Sequence, residues 1–189
     1  MLIIFGLVTY ATKGVSFGAI DAAIPNMFIP QIGSFPTIIL WAVVAIVVVW
    51  FIWNKTTFGK NLYAVGGNPE AAAVSGISVF AVTLGAFIMA GILYGFGSWL
   101  ECTRMVGSGS AAYGQGWDMD AIAACVVGGV SFTGGIGKIS GVVTGVLIFT
   151  SLTYSLTVLG IDTNLQFIFE GIIILAAVTL DCLKYVQKK

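Results

Sequence analysis

Apolar residues run along this chain in long blocks, and most of the blocks are longer than the core of a soluble domain requires. Phe35–Trp53, Ser78–Leu100, Ile139–Leu159 and Leu165–Leu183 each approach or reach the length that crosses a bilayer as a helix, about 20 residues. Asp118–Phe132 is apolar after its acidic start but short for a span. Met1–Thr12 is apolar and shorter still, and reads as the tail of a span whose beginning lies upstream. The pattern predicts an all-α polytopic membrane protein with about five transmembrane helices plus an N-terminal remnant.

The segments between the blocks carry the punctuation. Lys13–Ser34, with Gly14, Gly18, Pro25, Pro30 and Gly33, reads as an external loop with one short interfacial helix. Trp41, Trp50 and Trp53 lie toward the ends of their span, where indole rings favour the membrane interface. Gly85, Gly91, Gly95 and Gly97 give the next span a small-residue face for close helix contact. Glu101–Trp117 and Thr133–Lys138 are glycine-rich and read as irregular, and Gly160–Asn164 reads as a turn.

The most informative stretch is polar, Phe58–Gly76. After a break at Gly66-Gly67, Asn68 suits a helix N-cap, since its side-chain oxygen can accept an orphan backbone N–H. Pro69 suits the first helical position, Glu70 complements the positive helix start, and Ala71–Ala73 propagate the turn. Gly76 can end it in the left-handed region. A helix of about two turns is marginal alone and calls for a partner surface.

Composition sharpens the class and excludes several functions. The 189 residues are 58% hydrophobic and 8% charged, with mean hydropathy +1.03. Such a chain has too few charges to cover a soluble globule. Formal net charge is zero and no basic patch exists, so nucleic acid is not an expected partner. The absence of histidine excludes His-ligated metals and His-based triads. Cys102, Cys125 and Cys182 are far apart and read as packing residues. The N-terminus lacks a basic n-region and cleavage site, so no signal peptide is expected. Placing the Asn68–Glu70 loop in the cytoplasm puts six basic residues inside (Lys55, Lys60, Lys138, Lys184, Lys188 and Lys189) against two outside (Lys13 and Arg104). The positive-inside rule therefore selects a cytoplasmic C-terminus.

Candidate chemistry is sparse. The run Gly128-Gly129 through Gly134-Gly135-Ile136-Gly137-Lys138 resembles a phosphate loop superficially, but Phe132 and Ile139 stand where that motif needs glycine and Ser/Thr. Gly137, Gly141 and Gly145 recur every four residues and make a flat face for helix packing, a role that Gly128, Gly129, Gly134 and Gly135 are expected to share, with a hinge or pathway role as the alternative. Asp118 and Asp120 sit at a helix start, where acidic residues anchor the N-terminus; no base or nucleophile accompanies them. Glu101 and Arg104, three apart, form an interfacial pair. Glu170 lies inside the last span and must face protein or water, either on a pathway or against a neighbouring helix. Tyr154, Thr157, Asn164 and Gln166 make the adjoining outer turn polar.

These residues carry a resemblance. Trp53-Asn54-Lys55-Thr56 running into Phe58-Gly59-Lys60-Asn61, then Gly66-Gly67-Asn68-Pro69-Glu70-Ala71-Ala72 with Ser75-Gly76-Ile77, resemble the permease subunits of bacterial ATP-binding cassette (ABC) importers for monosaccharides, the ribose/xylose/galactose group. Asp118–Phe132, Gly134–Gly137 and Leu180–Tyr185 reinforce it. The resemblance implies a single, partial permease domain over residues 1–189, the C-terminal part of the family's bundle of roughly ten helices. It implies a cytoplasmic coupling loop over 54–77, in which Gly66, Gly67, Asn68, Pro69, Glu70, Ala71, Ala72 and Gly76 dock on an ABC ATPase subunit. Further implied partners are a periplasmic sugar-binding protein, a second permease copy and the lipid bilayer of the inner membrane. ATP and Mg would be held by the ATPase, with no cofactor in this chain. Two other classes remain open: a secondary transporter or channel built on discontinuous helices, and a non-transporting membrane scaffold.

Overall fold

The computed structural model describes residues 2–15, 31–32, 35–105, 109 and 113–186. Those residues form helices α1 (Leu2–Thr12), α2 (Ile38–Lys55), α3 (Thr57–Gly67), α4 (Pro69–Val74), α5 (Val79–Arg104), α6 (Trp117–Val127), α7 (Ile139–Val158) and α8 (Thr163–Val186). Ahead of α2, β1 (Gln31–Ile32) and β2 (Phe35–Pro36) make a two-residue antiparallel ladder, Gln31 opposite Pro36 and Ile32 opposite Phe35. Most of the expected Lys13–Ser34 loop and the basic residues Lys188 and Lys189 lie outside the described residues.

By length and composition, three of the described helices can cross a membrane: Ile38–Lys55, Val79–Arg104 and Ile139–Val158. The last helix is 24 residues long, with a shorter apolar stretch at Leu165–Ala176. This is a polytopic membrane fold. The boundaries differ from the sequence expectation at three places, each for a local reason. The first span starts at Ile38 rather than Phe35, because Phe35 precedes Pro36 and a residue before proline is steered to extended backbone. The second continues past Leu100 through Arg104, extended by the Glu101–Arg104 ion pair and a Thr103 hydroxyl donating to the Trp99 carbonyl at 2.7 Å. In place of a 118–132 span, an 11-residue helix runs over Trp117–Val127, about 16 Å of rise, and gives way to irregular backbone at Gly128.

Contacts divide the chain into two compact units. The first comprises residues 1–49 and 83–115. In it, Trp41 meets Phe96 and Trp99 edge-on, with ring centroids 5.9 and 6.3 Å apart, an arrangement that suits the ring quadrupoles. Gly91, Gly95 and Gly97 do not form the close-contact face expected of them: a Cβ added at any of them would meet nothing within 4 Å among the described residues. The Tyr113 hydroxyl donates to Glu101, which also accepts from Arg104, and this bond holds the phenol above its ordinary pKa.

The second unit comprises residues 50–82 and 116–189, and its centre is the pairing of α6 with α7. Ala123, Ala124 and Phe149 are buried there, with Ile174 of α8 packed against them. The two helices touch backbone to backbone. A Cβ on Gly145 would lie 2.1 Å from the Ala124 carbonyl oxygen, and one on Gly141 would lie 2.2 Å from that of Gly128. Lipid chains are as apolar as leucine, so helices gain little by hiding apolar surface; close packing supplies the attraction instead. On the exposed surface of α7, the hydroxyls of Thr144, Ser151 and Ser155 each donate to the carbonyl one turn back. Polar side chains are thereby satisfied without a partner helix.

These contacts set an expectation. Gly145→Ala must push α6 and α7 apart and destabilise the unit by about 1–3 kcal/mol, whereas Gly91→Ala, with open space for its methyl group, holds or raises stability. Thermal unfolding in detergent of the two variants beside wild type checks this, and equal midpoints for all three would refute it.

Candidate functional site

The coupling stretch begins where α2 ends. Thr56 turns the chain: its hydroxyl donates to the Ile52 carbonyl at 2.6 Å and accepts from the Gly59 N–H at 3.2 Å, closing α2 and capping α3 with one side chain. The turn is tight enough that a Cβ on Gly59 would sit 2.1 Å from the Trp53 carbonyl oxygen. The sequence pattern suggested a polar loop broken at Gly66-Gly67. Instead α3 runs from Thr57 through both glycines, and the break falls one residue later.

Asn68 marks that break from both sides. Its N–H donates to the Ala64 carbonyl at 3.0 Å, ending α3, and its Oδ1 accepts from the Ala71 N–H at 3.0 Å, starting α4. Pro69 occupies the first turn with Glu70. At the other end the Gly76 N–H donates to Ala73 and the Ile77 N–H to Ala72, both at 3.0 Å, with Gly76 at φ +84. Those paired bonds define a Schellman stop, and only glycine takes that backbone without strain. Ala72 is buried, while Pro69, Glu70, Ala71, Ala73 and Val74 are exposed, Val74 at 91%. The result is a rigid, doubly capped helix of six residues with one small buried contact and a broad open face.

The same stretch touches the loop between α6 and α7. The Tyr63 hydroxyl donates to the Gly137 carbonyl at 2.9 Å. Gly66 approaches Gly135 so closely that a Cβ on the former would lie 2.7 Å from the amide nitrogen of the latter. A Cβ on Gly135 would lie 2.6 Å from the Cα of Gly67, and one on Gly134, at φ +93, would lie 2.7 Å from the Gly66 carbonyl oxygen. Gly66 and Gly67, singled out for coupling, and Gly134, Gly135 and Gly137, singled out for packing, therefore belong to one contact. Tyr63 was not among the residues the sequence pointed to; paired glycines in each segment are the trace of this contact in the sequence.

The remaining glycines divide by position. Gly128, Gly141 and Gly145 lie where α6 and α7 come closest. Gly137 precedes α7 and rests against the Val130 side chain, 3.3 Å from an added Cβ, while Gly129 has open space around it. A shallow cavity of about 410 Å³, lined by Tyr63, Gly135, Lys138 and Gly141 among others, opens beside this loop.

The polar residues of the last helices form a second group. Asp118 and Asp120 occupy the first turn of α6, Asp118 exposed. Gln166 is buried and closes the turn between α7 and α8, its Nε2 donating to the Ile161 carbonyl at 2.9 Å and lying 3.4 Å from the Thr157 hydroxyl. One turn further along, Glu170 is 8% exposed and its carboxyl interacts with that of Asp120. Asp120 Oδ1 is itself buried without a hydrogen-bond partner. No lysine or arginine among the described residues forms an ion pair with either acid.

Known proteins place this arrangement in a class. The family model for the branched-chain amino acid transport system / permease component matches residues 1–178. The chain belongs to this family of transport permeases. It is 53% identical to the galactose/methyl galactoside import permease protein of Treponema pallidum, over all of this chain and 37% of the relative. It is 51% identical to the protein of the same name from Escherichia coli K12, over 84% of this chain and 47% of the relative. The xylose transport system permease protein of Haemophilus influenzae is 44% identical over 78% of this chain and 38% of the relative. The chain thus spans less than half the length of these relatives. No solved structure matches it.

The acid pair yields a test of its own. Two carboxyls facing each other repel when both are charged, so Glu170→Gln, which keeps a hydrogen-bonding group of the same shape, is expected to hold or raise the thermal midpoint in detergent. Glu170→Ala leaves Asp120 without that neighbour and opens a void, and is expected to lower it. A Gln variant less stable than the Ala variant would show that the pair does not repel.

Proposed function

We propose that the chain forms part of the transmembrane permease subunit of an ABC importer that carries a monosaccharide, of the galactose or methyl galactoside kind, into the cytoplasm. The observation that carries this reading is the doubly capped α4 helix with its exposed face. In a membrane protein with so little polar surface, a rigid six-residue helix with an exposed face offers a docking knob rather than a pathway element. The two galactose/methyl galactoside permeases named above, more than half identical over most of this chain, support the substrate class.

In this reading Pro69–Val74, framed by Gly66, Gly67, Asn68 and Gly76, inserts into a groove on a separate ATPase subunit, which holds ATP and Mg. Closure of two ATPase copies pushes on this helix in each of two permease copies. The paired bundles then alternate between a sugar-loaded periplasmic binding protein and the cytoplasm. The chain lies in the inner membrane with its coupling loop and C-terminus in the cytoplasm, as the distribution of basic residues favours. Asp118, Asp120, Gln166 and Glu170 are candidates for the pathway side of the bundle.

Co-purification from membranes tests the reading directly. Wild type is expected to retain the sugar-importer ATPase, and both Glu70→Lys, which reverses charge at the helix start, and Gly76→Pro, which destroys the stop, are expected to lose it. Retention of the ATPase by both variants would remove α4 as the coupling surface.

A further inference from the structure

The contact between the end of α3 and the α6–α7 loop goes beyond docking. We infer that Tyr63, Gly66 and Gly67, seated on Gly134, Gly135 and Gly137, form the joint through which movement of α4 reaches the paired helices α6 and α7. The inference rests on the coupling role proposed for α4.

Three observations carry it. First, the joint lies directly behind the docking helix: α3 ends at Gly67, and Asn68 alone separates it from α4. With that residue capping both helices, displacement of α4 must rotate or draw the end of α3. Second, the joint has no slack. Backbone meets backbone at Gly66–Gly135 and Gly67–Gly135, where even a methyl group would overlap, and Tyr63 adds a hydrogen bond between positions 74 residues apart. Contacts of this kind transmit displacement instead of absorbing it, since close-packed interiors are hardly compressible. Third, the receiving loop is short and both its helices are locked together. Gly128 against Gly141 and Gly145 against Ala124 bind α6 to α7 at backbone distance, so a push on 134–137 moves both together.

Tyr63 is thus a positioning residue: its hydroxyl aligns the end of α3 with the loop. A hydrogen bond that served stability alone would leave the response to nucleotide intact when removed, and this separates the two roles.

The test is amide hydrogen exchange on the permease with its ATPase in membranes, without nucleotide and with a non-hydrolysable ATP analogue. In wild type, nucleotide is expected to change protection at 63–68 and at 129–138 together. In Tyr63→Phe, which removes one hydroxyl and leaves the ring, the change at 63–68 is expected to persist while that at 129–138 is lost. Gly135→Ala, which crowds Gly67, is expected to give the same separation. The inference is overturned if 129–138 responds in Tyr63→Phe as in wild type, or if it fails to respond in wild type with the ATPase bound. Failure of wild type to hold the ATPase at all would instead remove the coupling role of α4, and the joint with it.

Discussion

The approach of α6 to α7 at backbone distance is the constraint on which the second unit depends. Within a bilayer, apolar side chains gain nothing by leaving lipid for protein, so helices hold together where their surfaces fit closely enough for dispersion and weak polar contacts to add up. Gly128, Gly141 and Gly145 provide that fit. Once it is made, Ala123, Ala124 and Phe149 are enclosed and Ile174 of α8 is set against them, while Asp120 of α6 and Glu170 of α8 meet between those two helices.

This interface also explains why α6 can be short. Eleven residues cannot cross a bilayer, and the irregular backbone from Gly128 to Lys138 would be intolerable against lipid. Here it folds back on protein. The Ser131 N–H donates to the Ile136 carbonyl at 3.0 Å, the Ser131 and Thr133 hydroxyls lie 2.8 Å apart, and Gly137 gives its carbonyl to Tyr63. The loop is thus supplied with hydrogen bonds by its own residues and by α3.

Legibility in the sequence followed the distance over which each feature is encoded. Asn68, Pro69, Glu70 and Gly76 announce α4 because capping acts within three or four residues, and the structure places cap and stop at those positions. The spans were visible from hydropathy, although Phe35, Leu100 and Phe132 proved poor markers of helix ends: proline, an ion pair and a glycine pair moved them. The Gly66-Gly67 break was misplaced because glycine weakens a helix on average, yet here the missing side chains are what let α3 pass the loop. The bond from Tyr63 to Gly137 joins residues 74 positions apart and has no local signature. Likewise Gly91, Gly95 and Gly97 looked like a packing face by spacing alone, and spacing does not say whether a neighbour is present.

Asn68 has a consequence for how this region can vary. Because one residue closes α3 and opens α4, the two helices share a single hinge pin, and the angular phase between them is fixed. Inserting or deleting one residue there would turn the exposed face of α4 by about 100° around its axis relative to the loop that α3 grips. Substitutions on the open face leave that phase as it is, whereas a change of length between Tyr63 and Gly76 would point the same side chains in the wrong direction. The arm is a gear tooth cut to a fixed pitch: its spacing cannot drift.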